Sequence, residues 1–205
     1  YAEWPEGWRW DDIQADFRAL ERVLRPSRRP ATEWTEACIS AAIANGFSRK
    51  DDLNDGDLSN VIGYEWMSYE NDDRRSSYVS FIKDAGAQPN LDILTGARAH
   101  RLLFDADKRA VGVEYQRDGA RATVEVKREV ILSAGALESP KLLLLSGIGP
   151  ADYLRQLEIP VVADRPAIGV GLHDHPNVPV FFRADREIDC RFPQLYSFYR
   201  TNPDS

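Results

Sequence analysis

The chain has 205 residues, 43% hydrophobic and 29% charged, enough apolar material for one medium domain or parts of two. A net charge of -7 disfavours a phosphate-tracking surface, so no nucleic-acid partner is expected. No apolar run approaches the ~20 residues that span a bilayer, and Tyr1-Ala2-Glu3-Trp4-Pro5 does not read as a signal peptide; a soluble, cytoplasmic protein without a membrane partner is expected.

The first segment reads as helical. Ile13, Phe17, Leu20 and Leu24 recur at helix spacing over 11–24, with Asp11 or Asp12 as N-cap and Pro26 beyond the end. Arg25 to Arg29 reads as a solvated turn. Thr35 to Asn45 is a second helix, stopped by Asn45-Gly46. Residues 51–75 read as loop-rich and acidic. Their Asp51-Asp52-Leu53-Asn54-Asp55-Gly56-Asp57 run loosely follows a calcium loop but lacks the Glu at the twelfth position, so no metal is assigned. Cys38 and Cys190 lie far apart and form no Cys-x-x-Cys pair. They imply neither a disulfide framework nor a zinc site and read as reduced, buried, small apolar residues.

Residues 88–150 carry the clearest pattern. Leu91 to Thr95 reads as a short strand ended by Gly96, and Ala99 to Phe104 as another. Asp105 to Lys108 is a turn. Ala110 to Gln116 and Ala122 to Val126 are strands joined through Asp118-Gly119, a strong hairpin signal. Glu129 to Gly135 is a continuous apolar run ending in small residues, as in a parallel strand buried on both faces. A helix then runs from Ser139, as N-cap, through Pro140 to Leu145. A strand, a small-residue turn and a helix start in succession present N–H groups to an anion or a polar cofactor edge; plain close packing of a strand–helix corner explains the pattern equally well. Ala151 to Leu157 is a short helix and Asn177 to Arg183 a strand. The closing residues, with Pro193 and the aromatics Phe192, Tyr196, Phe198 and Tyr199, show no clear period.

Five stretches carry a resemblance. Ala134-Gly135-Ala136-Leu137-Glu138-Ser139-Pro140 through Ser146-Gly147-Ile148-Gly149-Pro150 is similar to the second signature of the glucose-methanol-choline (GMC) oxidoreductases. Gly169-x-Gly171-Leu172-His173-Asp174-His175-Pro176 resembles that family's Gly-x-Asn-Leu-Gln-Asp-His-Pro segment, departing at Gly171 and His173. Leu94 to Asp105 resembles the strand beside the FAD adenine, and Arg75-Ser76-Ser77 the Arg-x-Ser segment before it. Tyr1 to Glu21 resembles the family's Trp-rich lead into a helix.

The resemblance implies an α+β, partial GMC fold. A piece of an FAD-binding domain, with a parallel strand and an antiparallel meander, would be interleaved with part of an antiparallel-sheet substrate domain. It assigns 88–150 to the FAD side, and 1–87 and 151–205 to the substrate side. It implies FAD as cofactor, contacted by Ala99, Ser133, Ala134, Gly135 and Ala136, and an alcohol as substrate, with His175 and Asn177 near its pocket. No Gly-x-Gly-x-x-Gly strand–helix turn is present, and the family's histidine base, which takes the hydroxyl proton while the carbinol hydride passes to flavin, is expected beyond Ser205. No residue here is therefore assigned as catalytic, and the isolated chain is expected to hold little FAD. It is also expected to expose apolar surface prone to self-association.

His173 and His175 fit a loop pinned by hydrogen bonds, a place in the substrate pocket, or a metal or base role; His100 reads as a satisfied sheet residue. Asn177 stands where choline-using relatives carry a carboxylate, which points to a neutral alcohol. A hydroxynitrile-lyase-like protein that keeps its flavin without redox use and a non-catalytic binding domain are the alternatives.

Overall fold

The computed structural model describes residues 4–70, 73–83, 88–190, 192 and 194–200. In chain order the elements are α1 (Trp10–Leu24), β1 (Pro26–Ser27), α2 (Glu33–Ala44), β2 (Ser48–Arg49), β3 (Val61–Tyr64), β4 (Met67–Glu70), β5 (Asp73–Arg74), β6 (Arg98–Phe104), β7 (Ala110–Arg117), β8 (Ala120–Glu125), α3 (Gly135–Leu145), β9 (Ile148–Gly149), α4 (Ala151–Gln156), β10 (Ala163–Asp164) and β11 (Leu195–Phe198). A π-helical turn at Val79–Lys83 follows β5. The chain forms two compact units, 1–89 with 181–205, and 90–180. Residues 151–180 thus group with the meander rather than with the tail that follows them. Tyr1, position 87, Pro193 and Ser205 lie outside the described residues. Among the described residues no helix is long and apolar enough to cross a membrane.

In the first unit, α1 begins where Asp12 Oδ2 accepts the N–H groups of Gly7 (3.1 Å) and Arg9 (3.2 Å), covering donors that no helical carbonyl reaches. Ile13, Phe17, Leu20 and Leu24 share one face, yet no residue of α1 is buried. The second helix starts on a reciprocal box. Thr35 N–H donates to Thr32 Oγ1 (3.2 Å), and Thr32 N–H donates to Thr35 Oγ1 (2.8 Å), satisfying two backbone donors at once. Ile39 on α2 then packs with Ile62 and Tyr64 of β3 to form the core, flanked by Ala42, Phe47 and Leu195.

Residues 51–75 are therefore not simply loop. They hold β3, whose four residues are all buried, together with β4 and β5. The third strand is the centre of the β11-β3-β2 sheet, antiparallel to β11 and parallel to β2. Its four-residue length hid it among acidic neighbours. A separate sheet runs β1-β4-β5. The Tyr64 hydroxyl lies 2.8 Å from both Thr35 Oγ1 and Glu36 Oε1, and Arg49 forks onto both Glu36 oxygens at 2.8 and 3.2 Å. Arg75 is buried. It reaches Glu70 (3.2 Å) and the Val23 carbonyl (3.4 Å), joining the end of α1 to the β4–β5 hairpin. In the acidic loop, Lys50 Nζ donates to Asp55 Oδ1 (2.7 Å) and to the Asp57 carbonyl (2.6 Å), so an ammonium ion serves this loop.

In the second unit, β6, β7 and β8 form the antiparallel meander that the alternating pattern predicts. Arg117 faces Ala120 across Asp118-Gly119, both at positive φ (50° and 81°), the geometry of a two-residue hairpin turn. The β6–β7 register advances from Ala99↔Tyr115 to Arg101↔Glu114, which leaves His100 as the extra residue of a bulge. The third helix is fastened to this sheet by Ser146. Its hydroxyl accepts the Leu102 N–H (2.8 Å) and donates to the Leu142 carbonyl (2.5 Å), all in buried surroundings. Leu154 of α4 is fully buried, and β9 and β10 form a short parallel pair.

Several expected elements differ. Leu91 to Thr95 forms no strand, and Ile93 and Leu94 are exposed. Glu129 to Ser133 is not a buried parallel strand. It has no strand assignment, and Ile131 is 79% exposed, because no described strand pairs with it and burial on both faces needs neighbours on both sides. Asn177 to Arg183 also forms no strand; its Val178, Val180, Phe181 and Phe182 are exposed and unpaired. The third helix starts at Gly135, not at Ser139, and contains Pro140. Ser139 still serves the helix start, since its Oγ accepts the Ala134 N–H at 3.0 Å. The cysteines are free and half-buried, not fully buried.

Candidate cofactor site

The site is built around the first turn of α3. Ser133, Ala134, Gly135 and Ala136 are all exposed, and their small side chains leave the backbone accessible. Gly135 has φ +88°, and a Cβ built on it would meet no atom within 4 Å. A glycine is needed for that backbone angle, not for lack of room. The turn therefore opens into space, and the first N–H groups of α3, which like those of any helix lack intrahelical acceptors, border that opening.

Two cavities meet at this turn. One, of about 170 Å³, is lined by Arg98, Ala99 and His100 of β6, by Ala134 just before α3, and by Glu138 and Lys141 of α3. The other, of about 770 Å³, lies between Ala134–Glu138 and Leu172, His173 and Asp174. Ala134 lines both, and Ala136 also lines a neighbouring groove of about 460 Å³ against Ala167–Leu172. The bulge at His100 sits at the first cavity, where His100 Nε2 lies 3.1 Å from Gln116 Oε1. The one carboxylate in the first turn of α3, Glu138, is matched by Lys141 Nζ at 3.0 Å from each of its oxygens, so the positive end of the helix dipole is not opposed by a bare anion.

The structure thus brings Ala99, Ala134, Gly135 and Ala136 to one place. Ser133 adjoins the turn without lining the described cavities, and His175 and Asn177 are exposed and outside them. His173 lines the larger cavity instead, with Nδ1 3.0 Å from the Gly171 carbonyl, while the His175 N–H donates to Asp174 Oδ1 (2.7 Å). Sequence reasoning weighed His173 only within a His-x-His pair. Arg98, Lys141 and Leu172 were not anticipated, because nothing in spacing alone brings Arg98 and Lys141 to one cavity or Lys141 and Leu172 to another.

Residues 1–177 match the sequence profile of the family described as GMC oxidoreductase. The chain belongs to the GMC oxidoreductase family. It is 38% identical over 160 residues to the oxygen-dependent choline dehydrogenase of Burkholderia thailandensis, covering 78% of this chain and 28% of that protein. It is 40% identical over 169 residues to the same enzyme of Burkholderia vietnamiensis, covering 82% and 30%. It therefore spans under a third of the length of these relatives. Among solved structures it is similar to pyridoxine 4-oxidase from Mesorbium loti, with a TM-score of 0.60 and 29% identity over 68% of this chain and 28% of that one. It is also similar to an FAD-dependent oxidoreductase from Chaetomium thermophilum, with a TM-score of 0.61 and 28% identity over 68% and 24%. The mixed α/β architecture of this GMC chain agrees with part of that fold. Its departure from the family segment at Gly171 also has a backbone reason: φ is +74° there, a region that Gly and Asn enter more readily than other residues.

Proposed function

We propose that this chain supplies part of the FAD seat of a GMC-family oxidoreductase that removes hydride from a primary or secondary alcohol, and that it is a piece of that enzyme. The carrying observation is the open turn at Ala134–Ala136, where α3 presents its N-terminus to a cavity of about 770 Å³ and shares Ala134 with the Ala99 groove. Its small side chains, exposed amides and dipole sign fit a polar, anionic dinucleotide. Bound flavin supplies the hydride acceptor. This chain's residues supply its seat: the α3 amides, the Ala99 edge of the bulged strand, and the Leu172–Asp174 loop across the cavity. On this reading 88–150 belongs to the cofactor half and 1–87 to the substrate half. The grouping of 151–180 with the meander supports counting the Gly169–Pro176 loop on the cofactor side.

The exposure of Ile131, Leu137, Val170 and Leu172 supports a surface completed by cofactor and by further polypeptide. The isolated chain is expected to purify colourless and to turn over no alcohol, whereas the complete reading frame is expected to carry flavin that alcohol bleaches. A stoichiometric yellow protein from the 205 residues alone, reduced by alcohol, overturns the reading. By the family resemblance Asn177 stands where choline-using relatives carry a carboxylate, so the complete enzyme is expected to prefer uncharged alcohols. A higher kcat/KM for choline refutes that preference while leaving the cofactor assignment intact.

A further inference from the structure

Three consecutive residues of β6, Arg98, Ala99 and His100, line the smaller cavity together with Ala134, Glu138 and Lys141. In a regular strand successive side chains point to opposite faces. The bulge between Ala99 and Arg101 interrupts that alternation, and all three residues border one space.

The polar groups of this cavity differ in what holds them. His100 Nε2 lies 3.1 Å from Gln116 Oε1. Lys141 Nζ lies 3.0 Å from each oxygen of Glu138, so these two charges neutralise each other. On the same meander, Arg101 and Arg121 both pair with Glu114, at 3.1 and 2.8 Å. Arg98 is exposed, and its guanidinium makes no ion pair or hydrogen bond among the described residues. It therefore leaves an unopposed positive charge and a full set of N–H donors at the cavity wall.

At about 170 Å³, this cavity is smaller than the ~300 Å³ at which ligand pockets usually begin, so it suits one end of a longer ligand. The cavity of about 770 Å³ shares Ala134 with it but is not lined by Arg98. Two unequal cavities meeting at a helix N-terminus suit a two-ended dinucleotide with its diphosphate between the ends.

Resting on the cofactor reading above, we propose that Arg98 determines affinity for the adenosine-diphosphate half of FAD. A planar guanidinium suits both a purine face and a phosphate oxygen. Among the charged residues of the smaller cavity, Arg98 alone has no protein partner among the described residues. Lys141 is kept from this role by Glu138, and His100 is held by Gln116. The contribution of Arg98 thus falls on the part of FAD that ADP shares.

The test titrates the complete, flavin-stripped enzyme with FAD and, separately, with ADP, at low and at high salt. Arg98→Ala should weaken both ligands by the same factor, about ten-fold or more, while the apoprotein melts where the wild type does. It should also flatten the salt dependence of binding. Arg98→Lys, which keeps the charge and loses the planar fork, should restore the salt dependence and only part of the affinity; it also stands in if the alanine variant does not fold. An Arg98→Ala enzyme that binds FAD and ADP as the wild type does overturns the proposal. So does a loss of FAD affinity with ADP unchanged, or a wild type that takes FAD but no ADP. A wild type that binds neither ligand overturns the cofactor reading itself, a failure set apart from the others because in them the wild type takes up flavin.

Discussion

Val61–Tyr64 and Glu129–Ser133 are two short apolar runs with opposite fates. The first is buried at all four positions; the second exposes Ile131 almost completely. Composition alone does not explain the difference, since each run carries three apolar residues. Partners do. The run at 61–64 has β11 on one edge and β2 on the other, with Ile39 of α2 against Ile62 and Tyr64. The run at 129–133 has no strand beside it among the described residues. Burial is a property of what a segment pairs with, and an apolar run without partners marks a surface shaped for contacts made by other groups. That surface leads directly into the Ala134–Ala136 turn.

The contrast sets the sizes of the expected mutational effects. Ile39→Ala removes the centre of the packed region and should cost about 2–5 kcal/mol in urea unfolding; a loss under about 1 kcal/mol would mean that this core is not formed. Ser146→Ala strips the buried hydroxyl that joins α3 to β6 and orphans the Leu102 N–H, which should cost about 1–3 kcal/mol. A smaller, pH-dependent effect is expected at Glu36. The Arg49 hydrogen bond, then that of Tyr64, holds its carboxyl below the ordinary carboxylate range. Its folded value is depressed, so its stabilisation is present above the unfolded value and is lost as pH falls through the folded one. Glu36→Gln should therefore flatten the acid limb of stability against pH, and an unchanged limb would place the acid sensitivity elsewhere. At the other extreme, Ile131→Ser should change stability by less than about 0.5 kcal/mol while reducing any self-association seen by light scattering.

Much of the fold could be read from local signals, each for a local reason. The meander announces itself through alternation and Asp118-Gly119, because a two-residue hairpin is specified by its own residues. The first helix shows its apolar face, and both early helices show their stops. What could not be read is what depends on distant pairing. Val61–Tyr64 is too short and too closely flanked by acids to stand out. Glu129–Ser133 and Asn177–Arg183 carry strand-like side chains but find no edge. Part of the candidate site was legible because Ala134–Ala136 and the Gly169–Pro176 loop sit in recognisable stretches. The contributions of Arg98, Lys141 and Leu172 arise only when Ser146 draws α3 onto β6 and the 167–174 loop lies against the same helix.

The most direct test of the cofactor seat is Ala136→Trp in the complete reading frame, with flavin content and thermal unfolding measured on the same preparation. Ala136 is exposed and lines the cavity, so an indole there should expel flavin, giving a folded but colourless protein whose apoprotein melts where the flavin-stripped wild type does. A variant that keeps stoichiometric flavin and full alcohol-dependent bleaching would contradict the account.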